Sequence, residues 1–207
     1  MNSPIKKNII AFILIVAILC NFLSSCGNDR KEEHADVIFN IDSTLLGPRY
    51  ENLQLKFAFY PPKDCHPLSD GLLIKIRTRL DSIAESSDSI RFQLIQIFVD
   101  STNQFSCSVS RIIHTISDSN SKDSTSNYLR FLKDKFATAT IQKGTYKLND
   151  FEINQYLLIT EQKVIFKLTF ASPGNKIIQL DYAIARSIYP DFIRHIESSI
   201  GSISKLN

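Results

Sequence analysis

The chain opens on an unbroken apolar run of eleven residues, 9–19, passes through a polar stretch at 28–34, and then settles into short apolar periodicities. Residues 37–46 and 53–60 read as strands. In the second, Leu53, Leu55, Phe57 and Phe59 alternate with Gln54, Lys56 and Ala58, the period-two signature of a half-buried strand. Pro61 and Pro62 close it, because proline has no N–H to give to a ladder. Residues 67–84 change period. Leu68, Leu72, Ile76 and Leu80 fall four apart, with Leu73, Ile83 and Ala84 beside them, which predicts one apolar stripe of a helix. Ser69 or Asp70 would cap it. Residues 91–100 carry Phe92, Leu94, Gln96 and Phe98 on one face and Ile95, Ile97 and Val99 on the other. Apolar groups on both faces predict a central, covered strand. Residues 105–113 form a less regular strand, with Phe105, Cys107, Val109 and Arg111 alternating with serines.

Residues 117–127 (SDSNSKDSTSN) are polar and of low complexity. They bury too little apolar area to offset ordering and read as an exposed loop. Residues 128–139 predict a second helix, with Leu129, Leu132 and Phe136 at helical spacing. Four strands follow at 140–148, 151–160, 163–172 and 176–185, joined by Asn149-Asp150, Glu161-Gln162 and Pro173-Gly174-Asn175. Connections this short suit hairpins. Val164, Phe166, Leu168 and Phe170 make one face of their strand, and Ile178, Leu180, Tyr182 and Ile184 one face of the next. Pro190 starts a last helix whose apolar side is Phe192, Ile193, Ile196 and Ile200. Antiparallel runs separated by helices predict an α+β fold, an antiparallel β-sheet covered by helices.

The run at 9–19 is short for a membrane span, which needs about 20 apolar residues. It fits the apolar stretch of a secretory signal, about 7–15 residues, with Lys6 and Lys7 before it. A plain N-terminal membrane helix, or ordinary cleavage leaving Cys26 a free thiol, are the alternatives. Leu23-Ser24-Ser25-Cys26, followed by Gly27, resembles the lipobox of bacterial lipoproteins. The resemblance implies that residues 1–25 are a leader and that Cys26 begins the mature chain. It also implies that Cys26 carries a diacylglycerol and usually a third acyl chain. Residues 26–36 then form a polar tether to a single domain, 37–207. Each buried methylene contributes about 0.8 kcal/mol, so two or three chains hold firmly. Lys31-Glu32-Glu33 resembles the short export signal that carries some lipoproteins to the cell surface; a solvated linker is the plainer reading. Asp does not follow Cys26, so the usual inner-membrane retention signal is missing. The expected location is the cell envelope, with the outer membrane favoured and its outer face open.

Loss of residues 1–25 from 207 leaves 182, enough for one domain with a good core. Lys6 and Lys7 leave with the leader, so 24 basic residues fall to 22 against 21 acidic, a net charge near +1. No basic stripe with interleaved aromatics occurs, which argues against a nucleic-acid partner. With Cys26 acylated, Cys65 and Cys107 remain as a candidate disulfide in an oxidising compartment, or as two separate buried thiols. Cys65 and His66 with Cys107 and His114 offer zinc-ligand types, but neither pair has the usual ligand spacing, and no metal is expected. G-x-S-x-G, H-E-x-x-H and G-x-G-x-x-G are absent from the chain. No catalytic residue and no cofactor is expected.

The end of the chain carries a second resemblance. A hairpin leads to a strand finishing in Asp181-Tyr182-Ala183. Tyr189-Pro190-Asp191-Phe192 follows, then a helix closing with Ile196-Glu197-Ser198-Ser199-Ile200-Gly201-Ser202-Ile203. This is similar to the Mog1/PsbP-like fold over residues 37–205, although the tryptophan often found near the start of that family is missing. The resemblance implies an α/β/α sandwich and, by analogy, an assembly or binding factor. The expected function is a membrane-anchored, non-catalytic binding or envelope-assembly domain with a protein partner. A small-ligand carrier or enzyme with a pocket between sheet and helices, and a toxin-immunity lipoprotein, are the other readings.

Overall fold

The structure is a computed structural model and describes residues 35–83, 90–114, 121–174 and 176–206. In chain order the strands are β1 (Ala35–Asp36), β2 (Tyr50–Asn52), β3 (Phe57–Phe59), β4 (His66–Pro67), β5 (Ile90–Val99), β6 (Phe105–His114), β7 (Thr140–Leu148), β8 (Phe151–Ile159), β9 (Lys163–Ala171), β10 (Ile177–Ala185) and β11 (Ser204–Lys205). The helices are α1 (Asp70–Ile83), α2 (Ser121–Lys135) and α3 (Tyr189–Gly201), with a single 3-10 turn at Ser43–Leu45. The large sheet has the order β1-β7-β8-β9-β10-β6-β5-β4, and a small one the order β11-β3-β2. Both are antiparallel except where β1 meets β7 in parallel, Ala35 beside Tyr146 and Asp36 beside Lys147.

The β7–β10 meander follows its sequence pattern closely. Asn149 and Asp150 both take positive φ, +45° and +66°, as a two-residue hairpin turn requires. Val164, Phe166, Leu168 and Phe170 of β9, and Ile178, Leu180, Tyr182 and Ile184 of β10, all enter one core. That core is closed by α3, through Ile196 and Ile200, and by Leu55, Phe57, Phe59 and Ile203 around the small sheet. The opposite face packs Ile90, Ile112, Tyr156 and Leu158 against Tyr128 and Leu132 of α2. Helix, sheet and helix therefore form three layers. Full burial of each large apolar side chain contributes about 1.5–3 kcal/mol, so these two layers of contact dominate the stability of the domain.

Four expectations are corrected. Residues 37–46 are not a strand; 37–42 carry no regular element and lead into the 3-10 turn at Ser43–Leu45, after which Leu46 makes an isolated bridge to Pro62. Residues 53–60 are not one strand either. Residues 53–56 turn, with Lys56 at φ +52°, and the Asn52 carboxamide oxygen accepts from the Leu55 amide at 2.9 Å, a side-chain bond that nucleates turns. Leu53 is consequently 77% exposed. Helix α1 is seated by Leu73, 3% exposed, and not by the stripe of Leu72 and Leu80, which stand 51% and 45% exposed. Finally, α2 begins at Ser121, inside the segment expected to be loop. Ser, Asp and Asn are only tenths of a kcal/mol poorer than average in a helix, and the packed half at Tyr128 and Leu132 outweighs them.

The β5 strand carries a further difference. It lies next to the short edge strand β4, and its register against β6 shifts between Leu94 and Gln96. This bulge inverts the alternation expected to run through Phe92, Leu94, Gln96 and Phe98. Phe92 packs on Phe131 of α2, with ring centroids 5.5 Å apart. Phe98 packs on Tyr50 and Phe59 in the other core, at 5.4 and 6.0 Å. Arg77 of α1 donates from Nε to the Leu94 carbonyl at 2.8 Å and from Nη2 to the Ile95 carbonyl, which satisfies acceptors that the bulge frees from the ladder.

Candidate functional site

A concave, largely apolar site forms where the N-terminal strap of the domain crosses the end of α3. Phe39 lies on Tyr146, with centroids 5.7 Å apart. Phe39 and Ile41 press on Gly201, where an added Cβ would stand 2.6 Å from Phe39 Cβ and 2.9 Å from Ile41 Cγ1. Glycine at the last position of the helix is what lets the strap lie this close. Asp42 then caps the 3-10 turn by accepting from the Thr44 amide at 3.0 Å, and its own amide donates to Ser198 Oγ at 3.1 Å. Leu46 bridges to Pro62, and the Gly47 amide donates to the Pro61 carbonyl at 2.7 Å. The strap is thus tied to the segment that carries Tyr60.

Between these elements lies a cavity of about 450 Å³ lined by Ile41, Ser43, Leu46, Gly47, Tyr60, Asn149, Gly201 and Ser202. Several of its polar groups are engaged within the wall. Asn149 Nδ2 donates to the carbonyls of Gly201 (3.2 Å) and Ile203 (2.8 Å). Ser202 Oγ accepts from the Tyr60 amide at 2.9 Å and donates to the Ser199 carbonyl at 2.6 Å. Ser199 Oγ donates to the Tyr60 carbonyl at 2.6 Å and lies 3.0 Å from the Tyr182 hydroxyl. Ile41 and Tyr60 are exposed at the mouth, and Val37 and Ile38 stand exposed on the strap before it, Ile38 by 94%. Clustered exposed apolar groups beside a cavity are the usual mark of a binding surface.

The polar groups elsewhere read as structural. Under α2, the Tyr128 hydroxyl donates to Gln179 Oε1 (2.7 Å), Gln179 Nε2 donates to Asp181 Oδ2 (2.8 Å), and Lys167 Nζ pairs with the same oxygen at 2.6 Å. Burial holds the Tyr128 hydroxyl far above its usual range, with the Asp181 charge adding to it. It serves as a hydrogen-bond donor and is no acid at neutral pH. His195 of α3 stacks on Phe192 at 4.8 Å, and burial lowers its pKa despite nearby Asp64 and Asp42.

Cys65 and Cys107, the candidate disulfide pair, are separate buried free thiols. Burial pushes Cys65 up to about 12 and Cys107 well above its ordinary value. Burial thus favours the neutral thiol at both positions, which disfavours a nucleophilic role. Cys107 and His114 are seven residues apart on β6, roughly 23 Å of strand, so the zinc set considered from the sequence is not assembled. Among the described residues, no group of three His, Cys, Asp or Glu could hold a metal ion, and no helix is long and apolar enough to cross a membrane. The expected leader (residues 1–25), Cys26 and the export-signal residues Lys31, Glu32 and Glu33 lie outside the described residues.

No family model matches the chain, and no curated protein matches it. Among solved structures it is similar to the solution structure of cyanobacterial PsbP (CyanoP) from Synechocystis sp. PCC 6803. The TM-score is 0.52 at 13% sequence identity, over 76% of this chain and 91% of that one. The fold is PsbP-like. A crystal structure from Bacteroides thetaiotaomicron is also similar, at 11% identity over 78% of this chain and 49% of that one. Its TM-score of 0.37 carries no argument. On the PsbP-like scaffold here the described cavity lies at the rim, where strap and α3 meet. None of its lining residues was singled out as a site residue in the sequence. Asn149 was visible only as a turn residue, and Gly201 only as part of a helix ending. Their convergence depends on the strap crossing α3, which no local pattern encodes.

Proposed function

We propose that the chain is a lipoprotein of the bacterial cell envelope, anchored through acyl chains on Cys26, whose PsbP-like domain binds a partner without catalysing a reaction. The outer membrane is the favoured location, with Lys31-Glu32-Glu33 as the surface-export signal. The observation that carries the binding reading is the rim cavity. Its walls are mostly apolar, and several of its polar groups are tied up in the fold. It also brings together no nucleophile, base and orienting group of the kind that covalent catalysis needs. A protein partner in the envelope is the leading occupant of the surface around it, and the cavity volume also favours a small apolar ligand as a second reading. Two measurements test the proposal. Intact-mass analysis of the exported protein should show a chain beginning at Cys26 and carrying fatty-acid mass. Capture from solubilised envelopes should recover a stoichiometric partner that is lost when the mouth is changed by Ile41→Ser and Tyr60→Ser together. An unacylated product removes the anchor, and capture indifferent to the mouth removes the binding surface.

A further inference from the structure

One end of the β5–β6 ladder gathers cationic side chains that the fold leaves unmatched. Gln93 stands directly opposite Arg111, and Arg91 directly opposite Ile113. Cys107 and Val109, which alternate in step with Arg111 along β6, enter the core closed by α3. Phe92, between Arg91 and Gln93, packs instead on the α2 side. Strand alternation therefore puts Arg91, Gln93, Arg111 and Ile113 together on the α3 side of the sheet. Arg91 and Arg111 are diagonal neighbours, roughly 7–8 Å apart and within reach of long side chains.

Arg77 brings another guanidinium to the same place. It lies along the edge of β5, on the carbonyls of Leu94 and Ile95, because β4 pairs only with Phe98 and Val99. Its charge is felt at Tyr50, which packs on the α3-side core. There it opposes the rise that burial imposes on the hydroxyl. Carbonyls hold Arg77 without neutralising it. Among the described residues, none of Arg77, Arg91 and Arg111 pairs with a carboxylate.

Arg111 adds an independent observation. Its Nε is buried and meets no hydrogen-bond acceptor. Buried polar groups are almost always satisfied in folded proteins, and a dry, unpaired N–H destabilises the fold. Gln93 across the ladder is exposed, and its carboxamide has N–H donors to add. A guanidinium fork matches two phosphate oxygens at once. A phosphate monoester carries about −1.5 to −2 charge at neutral pH, so clustered guanidiniums favour it over a monocarboxylate. Ile113, 41% exposed opposite Arg91, offers an apolar contact beside the charge.

We infer that Arg91, Gln93 and Arg111, with Arg77 at their flank, form a binding site for a phosphate monoester. The site shares no residue with the rim cavity. It needs neither the anchor nor the mouth at Ile41 and Tyr60. The phosphate has two sources, a soluble ester and a lipid headgroup that ends in phosphate.

The test is calorimetric titration of the full chain in a nonionic detergent. The probes are glycerol 3-phosphate and short-chain phosphatidic acid, with short-chain phosphatidylcholine as the comparison. Both monoesters should bind, and phosphatidylcholine should not. Arg111→Met and Arg91→Gln should each weaken binding by at least about tenfold, the loss of one charge-assisted pair. Arg130→Gln, at an exposed position on α2, should leave the affinity unchanged. Arg111→Met should also keep or raise the thermal midpoint without ligand, because it deletes the unpaired N–H and retains most of the stem. Arg91 is exposed, so its variant reports on the site independently of the fold. Glycerol 3-phosphate binding at least as tightly as phosphatidic acid assigns the soluble ester, and tighter phosphatidic acid assigns the lipid; both support the site. Failure of both monoesters to bind overturns it, as does phosphatidylcholine binding equally well. Affinity indifferent to both arginine variants also overturns it. So does an Arg111→Met protein that unfolds earlier and binds as before, the mark of a purely structural arginine. Intact mass and capture at the rim mouth do not involve these side chains, so this site and the anchored binder stand or fall separately.

Discussion

Gly201 ends α3 at a point where a single methyl group has no room. The neighbour it would meet, at 2.6 Å, is Phe39 Cβ, the root of a side chain, so no rotamer change relieves the contact. Replacing a helical glycine by alanine ordinarily gains up to about 1 kcal/mol; here overpacking costs about 1–3 kcal/mol and should win. Gly144 on β7 is the control, since nothing lies within 4 Å of its missing side chain. Urea unfolding should show Gly201→Ala destabilised, and Gly144→Ala within about 0.5 kcal/mol of the parent. His195 supplies a residue-scale test in pH. Burial is the main cause that lowers its pKa from 6.5, against the raising influence of Asp64 and Asp42, with Lys63 and Arg194 adding to the lowering. The unfolded chain therefore takes up the proton first as pH falls. Folding stability from this group is fully present above about pH 6.5 and is lost on acidification through the interval down to the lowered folded value. The His195→Gln variant should show a flatter stability–pH curve between pH 7 and 5; an unchanged slope rules out this contribution.

At the scale of elements, the β5 bulge and α1 act as a unit. The guanidinium of Arg77 fills acceptors on Leu94 and Ile95, and α1 otherwise buries little beyond Leu73. Arg77→Met keeps most of the aliphatic stem and removes the donors. Leaving such carbonyls unpaired costs about 1–3 kcal/mol, and amide exchange should rise along α1 and at residues 93–97 ahead of the rest of the sheet. This unit also shows where local pattern stops being informative. The β7–β10 meander was legible because each strand has one dry face and each turn has its own chemistry, as at Asn149-Asp150. The bulge was not, because inserting Ile95 leaves both halves of β5 apolar on alternate positions and only changes which core each half meets. The turn at residues 53–56 was hidden for a related reason. Leu53 completes a period-two pattern with Leu55, Phe57 and Phe59, yet the left-handed backbone of Lys56 and the Asn52 side chain break the strand.

For the whole molecule, the described core runs from Phe39 on the strap to Ile203, just before β11. Every layer contact named above falls inside that span. The candidate site was illegible from sequence for the same reason, since the cavity joins residues 41–47, 60, 149 and 201–202, four segments brought together only by tertiary packing. The proposed anchor at Cys26 and the described core from Phe39 to Ile203 should then be separable. Cys26→Ser should abolish the fatty-acid mass, because acylation needs the thiol. The thermal midpoint of the domain should stay within about 2 °C of the parent, since a surface-type change of about 0.5 kcal/mol shifts a domain of this size by no more than that. Measured side by side, intact mass and thermal unfolding assign the two roles independently. Retained acyl mass would move the anchor off residue 26, and a midpoint several degrees lower would show that the tether is part of the folded unit.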